Sequence, residues 1–318
     1  MKKLLAACAF TLSVLPCTTS LQAQDRDSLQ SRDENDMMAI LNKESDNIPA
    51  AIYTAATFKS TRIANGHSIE QMGAGVLDMR INHRFGLLNQ AFKNFFGLDN
   101  AVSHLGFDYG ITDRLMIGAG RSTYLKDYDG FLKVKILRQT EDGRMPVSLS
   151  YMGALSIQAQ DAYAPAGKSY MFKDKMAYIH QALIARKFSA SFSLQLMPVY
   201  IHYNLVAFNN EPNDIFALGL GGRLKLSKRI SVTGEYYPLI GKRLTGTRNA
   251  ASVGVDIETG GHVFQLLFTN ATGINERTVI GQTTGRIDRG DIHFGFNISR
   301  VFTIVRPKDT RDLHNKIW

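Results

Sequence analysis

The stretch Val76-Leu77-Asp78-Met79-Arg80-Ile81-Asn82-His83-Arg84-Phe85 decides the fold, because its polar and apolar residues alternate. One parity carries the apolar side chains of Leu77, Met79, Ile81 and Phe85. The other parity carries the polar side chains of Asp78, Arg80, Asn82 and Arg84. Successive side chains of a β-strand point to opposite faces, so the stretch predicts a strand with one face for lipid or a core and one face for water.

The same alternation recurs along the rest of the chain and predicts about twelve strands. These strands are predicted at 76–85, 105–111, 114–122, 132–136, 147–151, 177–187, 191–196, 216–225, 230–235, 253–258, 262–269 and 292–302. The fold class is therefore all-β, and the nearest alternative to a membrane barrel is a soluble β-sandwich.

The connections between these strands alternate between short turns and long polar loops. Short turns are predicted at 112–113, 141–143, 188–189, 227–228 and 259–261. Long loops are predicted at 86–102, 123–129, 157–176, 202–213, 239–249 and 270–290. In a soluble sandwich, long and short loops are not expected to segregate onto two rims. The pattern predicts a transmembrane up-and-down antiparallel β-barrel with short periplasmic turns, long extracellular loops and both termini in the periplasm.

The N-terminus indicates export. Met1-Lys2-Lys3, the apolar run 4–15 and Leu21-Gln22-Ala23 have the order of a signal peptide that ends near residue 23. Both cysteines of the chain lie inside it, which excludes disulfides and thiolate metal sites from the exported protein. The predicted layout is a signal peptide 1–23, a flexible periplasmic lead 24–50, a pre-barrel segment 51–74, a barrel 75–305 and a tail 306–318.

The composition fits a barrel that spans the outer membrane. Hydrophobic residues make up 44% of the chain, yet after the signal no run approaches the ~20 apolar residues of a spanning helix. The net charge is +9, and loss of Lys2 and Lys3 with the signal leaves +7. Export makes anionic headgroups or solutes better partners than nucleic acid for this charge. We expect outer-membrane lipid or lipopolysaccharide, the barrel-assembly machinery that recognises a terminal aromatic such as Phe302, and small solutes as partners; the oligomeric state is left open.

Charged residues of both signs are predicted to project into the lumen. The candidates are Asp78, Arg80, Arg84, Asp108, Lys133, Lys135, Arg223, Lys225, Glu235, Asp256 and Glu258. Paired across the barrel they would brace it, and on opposite walls they would line a polar path. A basic set in the long loops would attract anions or contact lipopolysaccharide phosphates, or would form a solvated rim. This set comprises Lys168, Lys173, Lys175, Lys242, Arg243, Arg248, Arg286 and Arg289.

Several runs of the exported chain together resemble a known family. The runs are 54–62, 75–78, 81–86, 107–114 and 128–133. They are similar to an uncharacterised outer-membrane β-barrel family of Bacteroidota, domain of unknown function 5777. The resemblance covers nearly all of the exported chain. It implies an outer-membrane-type barrel and implies little about activity.

A lipid-acting enzyme is the lesser alternative. Its chemistry would need a serine beside a lipid-facing histidine, and His83 is the histidine on the apolar parity, with no serine two residues after it. No catalytic, cofactor or metal residue is predicted. The aromatic residues near loop ends, among them Tyr200, Tyr203, Tyr236 and Tyr237, predict an interfacial girdle. The sequence favours a porin-like or transport barrel for small solutes, with a structural or docking barrel as the alternative.

Overall fold

The computed structural model describes residues 52–89, 97–160 and 171–305. These residues form thirteen β-strands and one seven-residue α-helix. The strands are β1 (Val76–Leu87), β2 (Ala101–Thr112), β3 (Leu115–Ser122), β4 (Asp127–Leu137), β5 (Ser148–Gln158), β6 (Met176–Lys187), β7 (Phe192–Tyr203), β8 (Asp214–Lys225), β9 (Ile230–Tyr237), β10 (Leu239–Ile240), β11 (Ala250–Thr259), β12 (His262–Thr269) and β13 (His293–Thr303). The helix is Glu276–Gln282, and 3₁₀ turns span Tyr124–Lys126, Phe172–Lys175 and Ile287–Arg289.

The strands close into one antiparallel barrel. Each strand from β1 to β9 pairs with the next, β9 continues through β11 and β12 to β13, and β13 pairs with β1. Strand β10 only extends β9 beyond Pro238 and pairs with β8, since proline lacks the N–H that would continue the ladder. The wall therefore has twelve strands, and the prediction of a closed twelve-strand barrel is confirmed.

The loop lengths follow the predicted alternation with two differences. On the long-loop rim, β3 and β4 are joined only by 123–126, because β4 begins at Asp127. On the short-turn rim, the connection 138–147 is longer than the others there. That connection pairs with the pre-barrel segment: Tyr53 bridges Thr140, and Thr54 N–H donates to Gln139 O at 2.9 Å. Its length provides a docking edge for that segment.

The outer face of the barrel is apolar and exposed. Phe216, Leu220 and Val253 are each 51% exposed, and Phe268 is 47% exposed. Large apolar side chains exposed in a continuous band, rather than singly, indicate a surface made for a lipid environment. Among the described residues, no helix is long and apolar enough to cross a membrane.

The interior of the barrel is filled by protein. Residues 56–70, here called the plug hairpin, run from the short-turn rim into the lumen, and the β12–β13 loop turns inward to place the helix Glu276–Gln282, here called the inner helix. Phe58 and Ile63 of the hairpin are 2% and 0% exposed, and Val279 of the inner helix is 2% exposed. They pack in one core with inward apolar side chains of the wall.

Candidate functional site in the barrel lumen

The plug hairpin is a tight turn with its own hydrogen bonds. Ile63 N–H donates to Gly66 O at 2.9 Å, and Ser68 N–H donates to Thr61 O at 3.0 Å. A Cβ on Gly66 would lie 1.8 Å from the hydroxyl oxygen of Tyr237 on β9, so only glycine fits at this point of the turn. The turn therefore lies directly against the wall.

A carboxylate of the wall binds the tip of the hairpin. Glu235 of β9 accepts from Asn65 N–H at 2.8 Å and from Gly66 N–H at 3.1 Å. The Asn65 side chain accepts from Arg84 Nη2 at 2.8 Å and donates to Ser252 Oγ at 2.7 Å. Two successive backbone N–H groups that converge on one carboxylate make a strong, charge-assisted contact.

Wall donors from several strands bind carbonyl groups of the hairpin. The contacts are Gln265 Nε2 to Ile63 O at 2.6 Å, Asn297 Nδ2 to Ala64 O at 2.9 Å, Gln195 Nε2 to His67 O at 2.7 Å, Lys133 Nζ to Ser68 O and to Glu70 O at 2.6 Å each, and Arg223 Nη1 to Ala56 O at 2.7 Å and to Thr57 O at 3.2 Å. Buried carbonyl groups need such partners, so these donors satisfy the main chain that leaves water when the hairpin docks.

Side-chain contacts centre on Asp108 of β2. Its carboxylate accepts from Thr61 Oγ1 at 3.0 Å and lies 3.4 Å from Arg62 Nη1 of the hairpin. It also accepts from Arg80 Nη2 of β1 at 2.8 Å. Nearer the short-turn rim, Lys59 of the hairpin pairs with Glu258 of β11. The two guanidinium groups compensate the negative charge of this buried carboxylate.

The inner helix is bound at the long-loop end of the lumen, opposite the short-turn rim from which the hairpin enters. Asn275 caps it by accepting from Thr278 N–H, and its Nδ2 donates to Asp127 Oδ2 at 2.8 Å. Arg277 Nη2 donates to Gln158 Oε1 at 2.8 Å, and Tyr203 Oη donates to Arg277 O at 2.8 Å. The loop that carries the helix is therefore fixed to β4, β5 and β7.

The hairpin and the inner helix meet at a buried contact between a histidine and a carboxyl group. His67 Nε2 lies 3.3 Å from Glu276 Oε1, and Arg62 Nη1 lies 2.7 Å from His67 Nδ1. Burial, together with Arg62 and Lys133, holds the pKa of His67 well below its usual value. Burial raises the pKa of Glu276. His67 is therefore neutral at pH 7 and accepts from Arg62 at Nδ1.

A small cavity lies between hairpin and wall, and a larger one opens at the long-loop mouth. A cavity of about 10 Å³ lies beside Arg62, Arg80 and Gln265, which is room for roughly one water. A second cavity of about 220 Å³ opens at the long-loop mouth above Arg277 and Gln282. The plug hairpin thus occupies the space in which a solute path was predicted.

Most of the predicted lumen charges are used to hold the hairpin. Arg84, Asp108, Lys133, Arg223, Glu235 and Glu258 contact it directly. Arg80 pairs with Asp108, Asp78 accepts from Ser299, and Asp256 accepts from Gln265 and Ser231. Lys135 and Lys225 lie half-buried toward the short-turn rim. The charges are neither simply paired across the barrel nor arrayed along an open path.

The predicted basic rim is only partly in contact with other groups. Lys168 lies outside the described residues. Lys242, Arg243 and Arg248 are exposed in the loop before β11. Arg286 pairs with Asp288 at 2.5 Å. Lys173, Lys175 and Arg289 complete the set in the described part, with Lys173 and Arg289 exposed.

Sequence reasoning missed the polar amides and two tyrosines of the site. Gln195, Gln265 and Asn297 sit on the inward parity but carry no charge and were not singled out. Tyr203 and Tyr237 were predicted in the interfacial girdle, which is wrong: they are 2% and 0% exposed and pack inside the lumen. The signal that could have placed them was parity, because Tyr203 shares the inward parity of Val199 and Ile201, and Tyr237 shares that of Glu235.

On the outer face of the wall, Ser103 lies beside His83. Ser103 Oγ on β2 lies 2.9 Å from His83 Nδ1, because the two residues are directly opposite in the β1–β2 ladder. The His83 ring stacks on Phe296 at 5.1 Å between centroids. Ser103 N–H donates to Thr123 Oγ1 at 2.9 Å. A lipid-facing serine–histidine pair is thus present, without an acid partner for His83 among the described residues.

The chain is similar to known membrane barrels. Residues 58–302 match the family model described as "Membrane bound beta barrel domain (DUF5777)". Among solved structures, the NanC porin aligns with TM-score 0.44 and 8% identity over 72% of this chain and 100% of that chain. The KdgM porin aligns with TM-score 0.43 and 8% identity over 71% and 99%. An outer membrane channel from Pseudomonas putida F1 aligns with TM-score 0.42 and 13% identity over 74% and 98%. No curated protein matches the chain.

Proposed function

Because the chain belongs to the family of membrane-bound β-barrel domains called domain of unknown function 5777, we propose that it is a gated outer-membrane barrel for small solutes. Its architecture is porin-like, and the plug hairpin closes its lumen. Solutes pass when the hairpin leaves the lumen.

The burial of the plug hairpin supports this function best. The hairpin lies where a porin has water, and its contacts are mostly hydrogen bonds and ion pairs that water replaces when it undocks. It makes no covalent cross-link to the wall, since the exported chain has no cysteine. A wall of inward Glu, Asp, Lys, Arg, Gln and Ser side chains remains behind when it leaves, and such a lining accepts water and polar solutes.

Conductance in planar bilayers tests the proposal. Wild-type barrels should stay closed, and Gly66→Leu should give steady ion current, because its side chain has no room beside Tyr237. Gly153→Leu is the matched control, since a Cβ on Gly153 meets nothing closer than 3.5 Å on the outer face. Barrel formation is checked by β-sheet circular dichroism and by heat-dependent mobility on gels.

A structural or docking barrel is the second candidate, and the filled lumen favours it over an open porin. Limited proteolysis separates the two. A Gly66→Leu barrel whose hairpin is cleavable and which carries no current contradicts the gated channel and supports docking. A Gly66→Leu barrel that carries current contradicts a purely structural role.

Several finer points belong to the same proposal. The chain is exported by the signal peptide 1–23 and both termini face the periplasm, which the sequence pattern supports. The host belongs to Bacteroidota, which only the family resemblance implies. Outer-membrane lipid or lipopolysaccharide contacts the barrel, and the barrel-assembly machinery inserts it. The protein is not an enzyme in this proposal. Tags at residue 24 and at the C-terminus that stay inaccessible in intact cells, but not in permeabilised cells, would support the orientation.

A further inference from the structure

The wall of the lumen binds the main chain of the plug hairpin more than its side chains. Lys133, Gln195, Gln265, Asn297 and Arg223 all donate to carbonyl oxygens. Glu235 accepts from two backbone N–H groups. Main-chain carbonyl and N–H groups are the same in every peptide, so this set of contacts does not depend on the sequence that occupies the lumen.

The wall side chains that bind the main chain surround the hairpin. They come from β4, β7, β8, β9, β12 and β13, which together make up about half of the wall. The six side chains are each at most 9% exposed. A buried donor or acceptor without a partner is costly. These groups therefore require either water or a ligand that presents carbonyl and N–H groups at matching positions.

The side chains of the hairpin are recognised at few points. Lys59 pairs with Glu258, Thr61 and Arg62 contact Asp108, and Asn65 contacts Arg84 and Ser252. Ile63 enters the space that Gly221 leaves open. The last is a steric fit: a Cβ on Gly221 would lie 2.3 Å from Ile63 Cδ1. The lumen therefore requires glycine at the turn and an apolar side chain at Ile63, contacts a few polar side chains of the hairpin, and elsewhere binds its main chain.

We propose that the opened lumen is a peptide-binding channel and that the plug hairpin is its resident ligand. The ligand class is a peptide that enters as a hairpin with glycine at its turn and an apolar residue three positions before that glycine. This inference rests on the proposed gated function, because a peptide has access only after the hairpin undocks. It names the substrate class of the same site.

Block of the open channel by peptides added in trans tests the inference. The protein is the full-length Gly66→Leu variant, whose own hairpin cannot dock, and the probe is a synthetic peptide of residues 56–70 with the natural glycine. We expect the peptide to block the current. A peptide with Ser60 and Ser68 replaced by other polar residues should block within a few-fold of the same concentration, because the hydroxyls of these two residues hydrogen-bond to main-chain atoms of the hairpin itself.

Methylation of peptide nitrogens provides the discriminating comparison. N-methylation at the positions of Asn65 and Gly66 removes the two N–H groups that Glu235 accepts, and should weaken block about tenfold or more. N-methylation at Lys59, whose N–H makes no hydrogen bond within the described residues, is the matched control. Glu235→Gln in the barrel should remove the difference between the two methylated peptides.

The outcomes separate the two proposals. Current without block by the 56–70 peptide overturns the peptide-binding inference and leaves the gated channel intact. Block that survives methylation at Asn65 and Gly66 also overturns it, since recognition would then not use the main chain. Absence of current in Gly66→Leu contradicts the gated channel. In that case, binding of a fluorescent 56–70 peptide to the solubilised variant still decides the inference, with tight binding supporting it and no binding overturning it.

Discussion

The two sides of the lumen differ in chemistry, and the plug hairpin lies between them. On β6, β7 and β8 most of the inward side chains are apolar, although Gln195 and Arg223 also lie there; the apolar ones include Ile179, Leu183, Met197, Val199, Ile201 and Ile215. On β1, β9, β11 and β13 they are polar or charged; they include Asp78, Arg84, Glu235, Asp256 and Asn297. Ile63 packs on the apolar side, and the Asn65–Gly66 turn is bound by the polar side. One hairpin thus uses two kinds of interaction.

The two sides of the lumen therefore affect docking of the hairpin in different ways. Apolar contacts stabilise docking without fixing direction, because burial of apolar surface is non-directional. Hydrogen bonds contribute less net free energy and fix the geometry, because each depends on position and angle. The apolar side should therefore set how tightly the hairpin docks, and the polar side should set its register.

Truncation on the apolar side should have the largest effect. Ile63→Ala leaves a cavity beside Gly221 and Met197, and should weaken hairpin docking by about 2–5 kcal/mol. Hydrogen–deuterium exchange of residues 57–70 measures the change, and open-channel probability follows it. Leu220→Ala, on the outward parity of β8, is the control that removes equal bulk outside the lumen. Equal effects of the two variants would break the distinction between the inner and outer faces.

Loss of the tip carboxylate should have a smaller effect. In Glu235→Gln the side chain keeps one acceptor and gains a donor that faces the two N–H groups, which should cost about 1.5–3 kcal/mol of docking. Exchange protection should fall mainly at Asn65 and Gly66, while Ile63 packing persists. Glu141→Gln, in the exposed 138–147 connection, is the matched control. Protection lost uniformly over 57–70 would contradict a role in register.

The sequence predicted the wall well and its contents poorly. In 76–85 alternation alone places Asp78, Arg80 and Arg84 inward, because the period of a strand fixes the side of every residue. In β7 the run Leu196-Met197-Pro198-Val199-Tyr200-Ile201 is apolar on both parities, which indicates lipid on one face and a filled interior on the other. The occupant of that interior is not local information. Gln265 binds Ile63 across 202 residues, and no periodicity encodes such a pair.

Acid should loosen the hairpin through His67. The docked pKa of His67 is held well below its usual value by burial, Arg62, Lys133 and Arg80, whereas the undocked residue titrates near ~6.5. Docking is therefore at full strength above that pH and weakens as pH falls below it. The reason is that His67 takes up a proton in the undocked state but stays neutral in the docked state. The facing carboxyl of Glu276 acts in the opposite sense, since its raised pKa favours docking in acid.

Exchange protection of the hairpin between pH 7 and pH 5 measures this effect. His67→Gln keeps an acceptor for Arg62 and should flatten the profile, and His262→Gln, at the β11–β12 turn, should leave it unchanged. Glu276→Gln should steepen the loss of docking in acid, because it removes the opposing group. A profile that is unchanged in His67→Gln would show that the junction of hairpin and inner helix does not respond to protons.

The smallest effect is expected on the outer wall, where Ser103 meets His83. If function resides in the two sides of the lumen, Ser103→Ala should change neither conductance nor docking, and purified barrels should not hydrolyse phospholipid vesicles. Acyl transfer needs an oriented base and an oxyanion donor. Within the described residues, His83 contacts Ser103 and packs on Phe296 but has no acid to orient it, and the N–H of Ser103 donates to Thr123 Oγ1. Release of fatty acid by the wild type, abolished in Ser103→Ala, would move the functional site from the lumen to the lipid-facing wall.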